Sequence, residues 1–309
     1  MQVDIAELRR PMRQEYTLNR TRFAPSTYLE AFDSSAFDMP DAASLYHENS
    51  KYVEGAMGLA SRSVAAFESA AMAYTQAKIG PDYAGHELIE LPDPQPLGDI
   101  TLEQAIEDRR SNDAFGEAPV GIAEISTVLS MAAGVTDTIQ IDHETFEAPV
   151  PKSVRAYPSA GALYPVETYL LVLDGADLHR GCYYYVPDRH ALRVLEREGD
   201  VSSNANRAFL GTSGEDAGTA SVLFVLTGAF WRSMAKYGPR GYRYLLQETG
   251  HLAQNILLVA VGLGLVALPV GGFYDDAVDE LLGIDGCNES TLYTVAVGRR
   301  TQNQSDRHD

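Results

Sequence analysis

Cysteine is nearly absent from this 309-residue chain: Cys182 and Cys287 stand far apart, with no CxxC pair and no Cys/His cluster. Neither a disulfide scaffold nor a structural zinc site is expected, and a reducing, cytoplasmic setting fits. Long apolar runs are missing as well. The most apolar stretch, residues 256–270, is short for a bilayer span and contains Gly262 and Gly264. The opening residues, MQVDIAELRRPMRQEY, lack the apolar segment of a secretory signal. Positive charge is scarce: 24 basic against 43 acidic side chains give −19, and only four of the basic residues are lysine (51, 78, 152 and 236). A surface this negative repels phosphate backbones and anionic lipid, so no nucleic acid and no membrane is expected as partner. Neither GxSxG nor GxxxxGK[ST] occurs, which removes the nucleophile elbow and the phosphate loop.

What is present is ordinary globular composition, 45% hydrophobic and 22% charged, with enough length for a sizeable core. Residues 1–45 are polar and weakly patterned and read as an N-terminal extension. An Ala-rich stretch between Asp41 and Lys78 predicts closely packed helices. Leu91-Pro-Asp-Pro-Gln-Pro96 predicts a stiff extended connector, because each proline restricts the residue before it. The expected division is therefore an extension (1–45), a helical segment with the connector (46–96), a main domain (97–301) and a polar tail (302–309).

Within the main domain, Thr101 is placed to cap a helix running to Arg109, and Ile122–Ala133 has a helical apolar face. Residues 137–150 read as an acidic, irregular loop. Apolar runs at 168–173, 181–186, 192–195, 220–227 and 292–297 predict strands, with Pro187–His190 as a hairpin turn. A long helix is expected from Tyr242 to about Leu263. Strands and helices interleave without a regular βαβ cadence, which predicts an α+β fold.

Five segments carry candidate chemistry. Arg109-Arg110-Ser111 can grip a phosphate through forked guanidinium bonds and a hydroxyl, or can merely offset a helix dipole. Arg299-Arg300 is a second doublet after the last strand. Pro158-Ser159-Ala160-Gly161 is a small-residue turn that a flat ligand could approach at backbone distance, though a bare turn needs no ligand. Gly271 and Gly272 leave two amides accessible. Residues 231–244 hold four basic groups and no acid, and a cation beside Tyr237 would lower its pKa toward that of a useful base. Gln247, His251 and Asn255 share a helical face, with Glu248 one position round. That set reads as a polar stripe, since no second His or carboxylate follows at ligand spacing.

Taken in order, Arg109-Arg110-Ser111, Pro158-Ser159-Ala160-Gly161, Lys236-Tyr237-Gly-x-Arg240, Glu248-x-Gly-His251, Gly271-Gly272-Phe273 and Gly298-Arg299-Arg300 resemble one family. It is the SagB-type (McbC-like) dehydrogenase branch of the FMN-dependent nitroreductase superfamily, matched from about Tyr46-His-Glu-Asn-Ser-Lys51 to Arg300. The resemblance implies an α+β fold with a mainly antiparallel central sheet flanked by helices. It implies a homodimer with FMN at the subunit interface and the long helix in that interface. Arg109, Arg110, Ser111, Arg299 and Arg300 would hold the phosphate and ribityl. Pro158, Ser159, Ala160 and Gly161 would line the ring from the partner subunit, and Gly271 and Gly272 would offer amides near N5 and O4. Lys236 and Tyr237 would be the catalytic pair, with Tyr237 as base. The branch oxidises peptide thiazolines and oxazolines to azoles, with oxygen as final acceptor, so an azoline-containing peptide or related small substrate and a cyclodehydratase complex are the implied partners. A nitro or quinone reductase fed by NAD(P)H, and a non-catalytic scaffold of a biosynthetic complex, are the alternatives. One departure stands out: the family commonly has a third Arg where this chain has Asp113.

Overall fold

The computed structural model describes residues 42–52, 80–81, 83–112, 114–142, 148–197, 201–209 and 219–301; Asp113 lies outside them. The chain divides into two compact units between Lys51 and Tyr52. In the first, α1 (Ala42–Asn49) ends where the Ser50 hydroxyl donates back to Tyr46 O at 2.6 Å. The Ala-rich stretch expected to be helical continues through residues 53–79, outside the described residues.

The second unit is built on β5 (Val166–Val172), whose seven residues are all buried. Alternate side chains face opposite cores, as the two-residue period of a strand requires. Leu170 and Val172 enter one apolar cluster; Tyr169 and Leu171 enter the other. A sheet buried on both faces reads in sequence as a continuous apolar run, and this explains why 168–173 and 220–227 were legible.

The remaining elements are β1 (Leu88–Glu90), α2 (Leu102–Asp108), β2 (Phe115–Gly116), α3 (Ile122–Ala133), β3 (Val135–Ile141), β4 (Val150–Arg155), β6 (Gly181–Val186), β7 (Ala191–Arg197), α4 (Val201–Phe209), β8 (Val222–Ala229), α5 (Phe230–Tyr237), α6 (Pro239–Gly262), β9 (Val266–Val270), α7 (Asp275–Leu282) and β10 (Glu289–Arg300). The sheet order is β1-β7-β6-β5-β8-β10-β2, with β9 also on β10. Each of these strand pairs is antiparallel. Residues of α3 and α6 cover one face and residues of α4 and α7 the other, so the fold is α+β in three layers.

Strand β10 organises one side. It pairs with β8 from Glu289 to Val297, with β9 from Thr294 to Gly298, and with β2 at Arg299 and Arg300. Its register against β8 shifts between Thr291 and Tyr293, a one-residue bulge at Leu292. The connector 91–96 is tied down by Gln95 N–H to Thr127 Oγ1 at 2.8 Å and by the Ser126 hydroxyl to Pro92 O.

Four local readings change. Residues 135–141 and 150–155 form the two-stranded sheet β3–β4 rather than an irregular loop. The exposed polar residues of β3 concealed it, because a strand facing solvent carries no apolar alternation. The long helix begins at Pro239, directly after α5, a separate short helix that ends at Tyr237. Helices α4 and α7 were not anticipated. The apolarity of α6 is accounted for within the chain: Leu252, Ala253, Ile256, Leu257, Val259 and Ala260 belong to the core it shares with α3 and the sheet. A subunit interface is not needed to explain it.

Leu170 is 0% exposed and Leu102 69%. Leu170→Ala should lower the free energy of unfolding by about 2–5 kcal/mol, the usual cost of an emptied core position. Leu102→Ala should change it by less than about 0.5 kcal/mol. Urea denaturation of the two variants checks both.

Candidate active site

Helix α6 connects two groups of functional residues. At its C-terminal end is an arginine corner. The Thr101 capping box with Gln104 fixes the start of α2, and the chain leaves the helix at Arg109 with φ −59° and ψ 118°. It then lies along β9: Ser111 bridges Ala267, and Asn112 N–H donates to Ala267 O at 3.2 Å. The last residue of β10 brings Arg300 to the same place. Arg109, Arg110 and Arg300 line a cavity of about 240 Å³, with Asp108 the only acid on its wall among the described residues and Leu257 and Val261 of α6 its apolar side. Arg110 also donates to Glu107 O (2.6 Å) and Arg109 O (2.8 Å), so it caps the helix end as well.

Arg299 is a correction. Its guanidinium grips Glu124 with two bonds of 2.6 and 2.8 Å and donates to Pro119 O at 3.3 Å. Arg299 and Arg300 are adjacent in a strand and point to opposite faces, so only one of the doublet reaches the cavity. Ser111 is placed beside the corner without lining the cavity.

The second group lies at the other end of α6. Ser159–Tyr164 is a tight turn with three left-handed residues, Gly161 (φ 65°), Ala162 (φ 50°) and Tyr164 (φ 45°). A side chain at Gly161 would come within 2.6 Å of the Tyr237 hydroxyl and 2.9 Å of Lys236 Nζ. The turn predicted from small residues and the Lys236–Tyr237 pair are therefore packed against each other within one chain. Tyr244 stands edge-on to Tyr237, ring centres 5.1 Å apart.

Three side chains and one backbone amide, none of them assigned to the site from the sequence, hold this turn. Glu248, 3% exposed, accepts the Ala160 N–H at 3.0 Å. Its Oε2 has no hydrogen-bond partner among the described residues. Lys152, 2% exposed, reaches Gly161 O at 3.5 Å. Arg232 donates to Tyr164 O at 2.7 Å and pairs with buried Glu167 at 2.6 Å. The Arg155 backbone N–H donates to the Tyr164 hydroxyl at 3.0 Å. One signal was available: Lys152 is one of only four lysines. Of the expected polar stripe, Gln247 and His251 face solvent, and the buried member is Glu248.

Burial sets the electrostatics. It raises the Glu248 carboxyl to about 7, against the lowering effect of Ala160 N–H, the Ser159 hydroxyl, Arg155 and Arg232. Burial, and then the charge of Lys236, lower Lys152 to about 8. Tyr237 is raised by burial, then by Tyr244 and Glu248. The expectation that Lys236 would lower the phenol is not met: desolvation favours the neutral phenol, and the neighbouring carboxylate opposes a second negative charge. Gly271 and Gly272 follow β9 at the end away from the cavity, next to Phe273, which packs on Phe209 with ring centres 5.9 Å apart.

The nitroreductase family profile matches residues 106–299 of the chain, a span that holds both groups apart from Arg300. The chain belongs to the nitroreductase family. A protein of Methanocaldococcus jannaschii named as a nitroreductase is 34% identical over 215 residues, 69% of this chain and 97% of that relative. The microcin B17-processing protein McbC of Escherichia coli is 34% identical over 148 residues, 45% of this chain and 53% of McbC, so the match spans about half of that relative. Among solved structures, the E. coli microcin synthetase McbBCD complex with truncated pro-MccB17 bound has a chain with TM-score 0.52 and 20% identity, covering 92% of this chain and 100% of that one. Over part of its length this nitroreductase is similar to McbC, and proteins of the family generally bind flavin.

Glu248 gives a stability prediction. The fold binds its proton more tightly than an unfolded chain, where the carboxyl titrates near 4.5. Stability is therefore lost as pH rises from about 4.5 through about 7, by roughly 1.4 kcal/mol for each tenfold difference in proton affinity. Glu248→Gln cannot ionise. Its stability relative to wild type should rise by about 1–3 kcal/mol between pH 5 and pH 8. Paired urea titrations at the two pH values check this.

Proposed function

We propose that this nitroreductase is an FMN-dependent dehydrogenase that oxidises a thiazoline or oxazoline, or a related substrate, to the aromatic ring during peptide natural-product processing. The observation that carries the proposal is the packing of the Lys236–Tyr237 pair against the Ser159–Gly161 turn, in a chain whose three-arginine cavity suits a phosphate. The relationship to McbC supports the peptide setting, and the McbBCD structure supports a cyclodehydratase complex as partner.

The fit to FMN rests on the cavity. Three arginines, with Asp108 beside them, border a space of about 240 Å³ in an acidic protein, and forked guanidinium donors are what a phosphate requires. Arg109, Arg110 and Arg300 hold the phosphate, with Ser111 beside them; Pro158–Gly161 line the ring, and Gly271 and Gly272 present backbone amides to it. When bound, FMN supplies the hydride acceptor, with oxygen as the final oxidant. Between Glu248 and Val261, α6 is roughly 20 Å long at 1.5 Å per residue. This separation of the arginine corner from the Lys236–Tyr237 group favours a homodimer in which one flavin meets the corner of one subunit and the turn of the other.

Tyr237 takes the proton α to the carbonyl, and Lys236 stabilises the negative charge that develops. Because the phenol is held above its ordinary value, Tyr237 is protonated at neutral pH and must first give up its own proton. Turnover should thus keep rising with pH beyond 8; a plateau below pH 7 would exclude Tyr237 as the base. Tyr237→Phe should leave the flavin bound and lower kcat by about 100-fold or more. Arg300→Ala should weaken FMN retention, read from the 450 nm absorbance after gel filtration. A protein that stays colourless on incubation with FMN would overturn the reading. The M. jannaschii relative's name favours a second reading, reduction of nitro compounds or quinones by NAD(P)H. It predicts indifference to Tyr237→Phe and rapid bleaching by NAD(P)H alone.

A further inference from the structure

The turn that carries Ala160 and Gly161 is strained. Two non-glycine residues, Ala162 and Tyr164, hold positive φ next to Gly161. Each such residue costs about 1 kcal/mol or more, and such conformations persist only where the surroundings over-determine them. Part of the restraint is ordinary: Ser159 O accepts from Ala162 N–H (3.0 Å) and Ser159 Oγ from Tyr164 N–H (2.8 Å). The rest comes from buried charge. The Ala160 N–H points to Glu248 Oε1, and the Gly161 carbonyl faces Lys152 Nζ. A carboxylate at a peptide N–H and an ammonium at a peptide C=O each meet the complementary end of the backbone dipole. Neither is a cheap device. A charged group this deeply enclosed lowers stability unless its surroundings compensate, and Oε2 of Glu248 has no hydrogen-bond partner among the described residues.

We propose that Lys152 and Glu248 are a pair of positioning residues that lock the Ala160–Gly161 segment, through the Ala160 N–H and the Gly161 carbonyl, against Lys236 and Tyr237. They set the floor on which the reacting ring lies and keep the Tyr237 hydroxyl at Gly161. The inference rests on the functional reading above for what the locked turn serves, and on the geometry alone for the lock. The titratable groups around this segment are Lys152 on β4, Lys236 and Tyr237 on α5, and Tyr244 and Glu248 on α6, with Arg155 of β4 and Arg232 of α5 acting on Glu248. Lys152 is repelled by Lys236, and Glu248 opposes ionisation of Tyr237. The lock is therefore coupled to the protonation of the pair it positions.

The four-lysine composition makes the test direct. In protein labelled with ¹³C-lysine, the Lys152 signal, identified by its loss in Lys152→Met, should titrate near pH 8, well below the ordinary lysine value. In Lys236→Met its midpoint should move upward. A Lys152 amine that titrates at the ordinary lysine value overturns the proposal, with or without flavin present. In the FMN-loaded enzyme, Lys152→Met and Glu248→Gln should each lower kcat by about 10-fold or more, since misplacing reacting groups by an ångström is that costly. KM and flavin content should stay within twofold. Should Lys152→Met not fold, Lys152→Arg assigns the signal by the same loss and the isosteric Glu248→Gln still decides. Turnover within twofold of wild type in folded Glu248→Gln counts against the lock. Failure to bind FMN overturns the functional reading instead and leaves the lysine titration standing.

Discussion

Charge buried in an apolar interior must be matched or it destabilises the fold. The buried charged residues described here are Lys152, Arg155, Glu167, Glu248 and Asp279. Asp279 caps the start of β10 through Ser290 and Thr291. The other four gather around the Ser159–Tyr164 turn, together with Arg232. They arrive from β4, β5, α5 and α6, so the turn is where separate parts of the chain are tied together. An uncharged set of neighbours could fill the same volume, but could not hold a backbone with several left-handed residues by its own N–H and C=O groups.

Helix α6 transmits this arrangement to the rest of the molecule. One stretch of it faces the turn through Glu248, the next is core against α3 and the sheet, and the last forms the apolar wall of the arginine cavity. A rigid element of this length fixes the separation of the two groups. Gly262 closes it: a side chain there would meet Leu97 at 3.1 Å, which is how the proline connector seats against the end of the helix.

Much of the architecture could be read from residue patterns, and the reasons differ by element. Strands buried on both faces were visible as apolar runs, and the Thr101 cap as a threonine before a helical face. The β3 strand was hidden because its exposed residues resemble a loop, and α5 because its polar, basic residues masked a helical period. Among site residues, doublets and small-residue turns were legible as motifs. Which member of a doublet faces the cavity was not, because that depends on strand register: Arg299 goes to Glu124 and Arg300 to the cavity. Lys152 and Glu248 were illegible as partners for another reason. They lie 96 residues apart, and only the folded turn brings them to adjacent peptide groups. The phenol of Tyr237 moved against expectation because burial outweighs a nearby cation.

The bulge at Leu292 has a bearing on how this corner can change over evolutionary time. It is the extra residue that sets how far β10 has advanced by the time the strand reaches β2. Deleting one residue there, or adding a second, would turn the downstream strand over. Arg299 would then face the cavity and Arg300 would face Glu124, with neither arginine mutated. Which arginine faces the cavity is thus encoded partly in chain length, and an insertion eight positions away can change it as effectively as a substitution there.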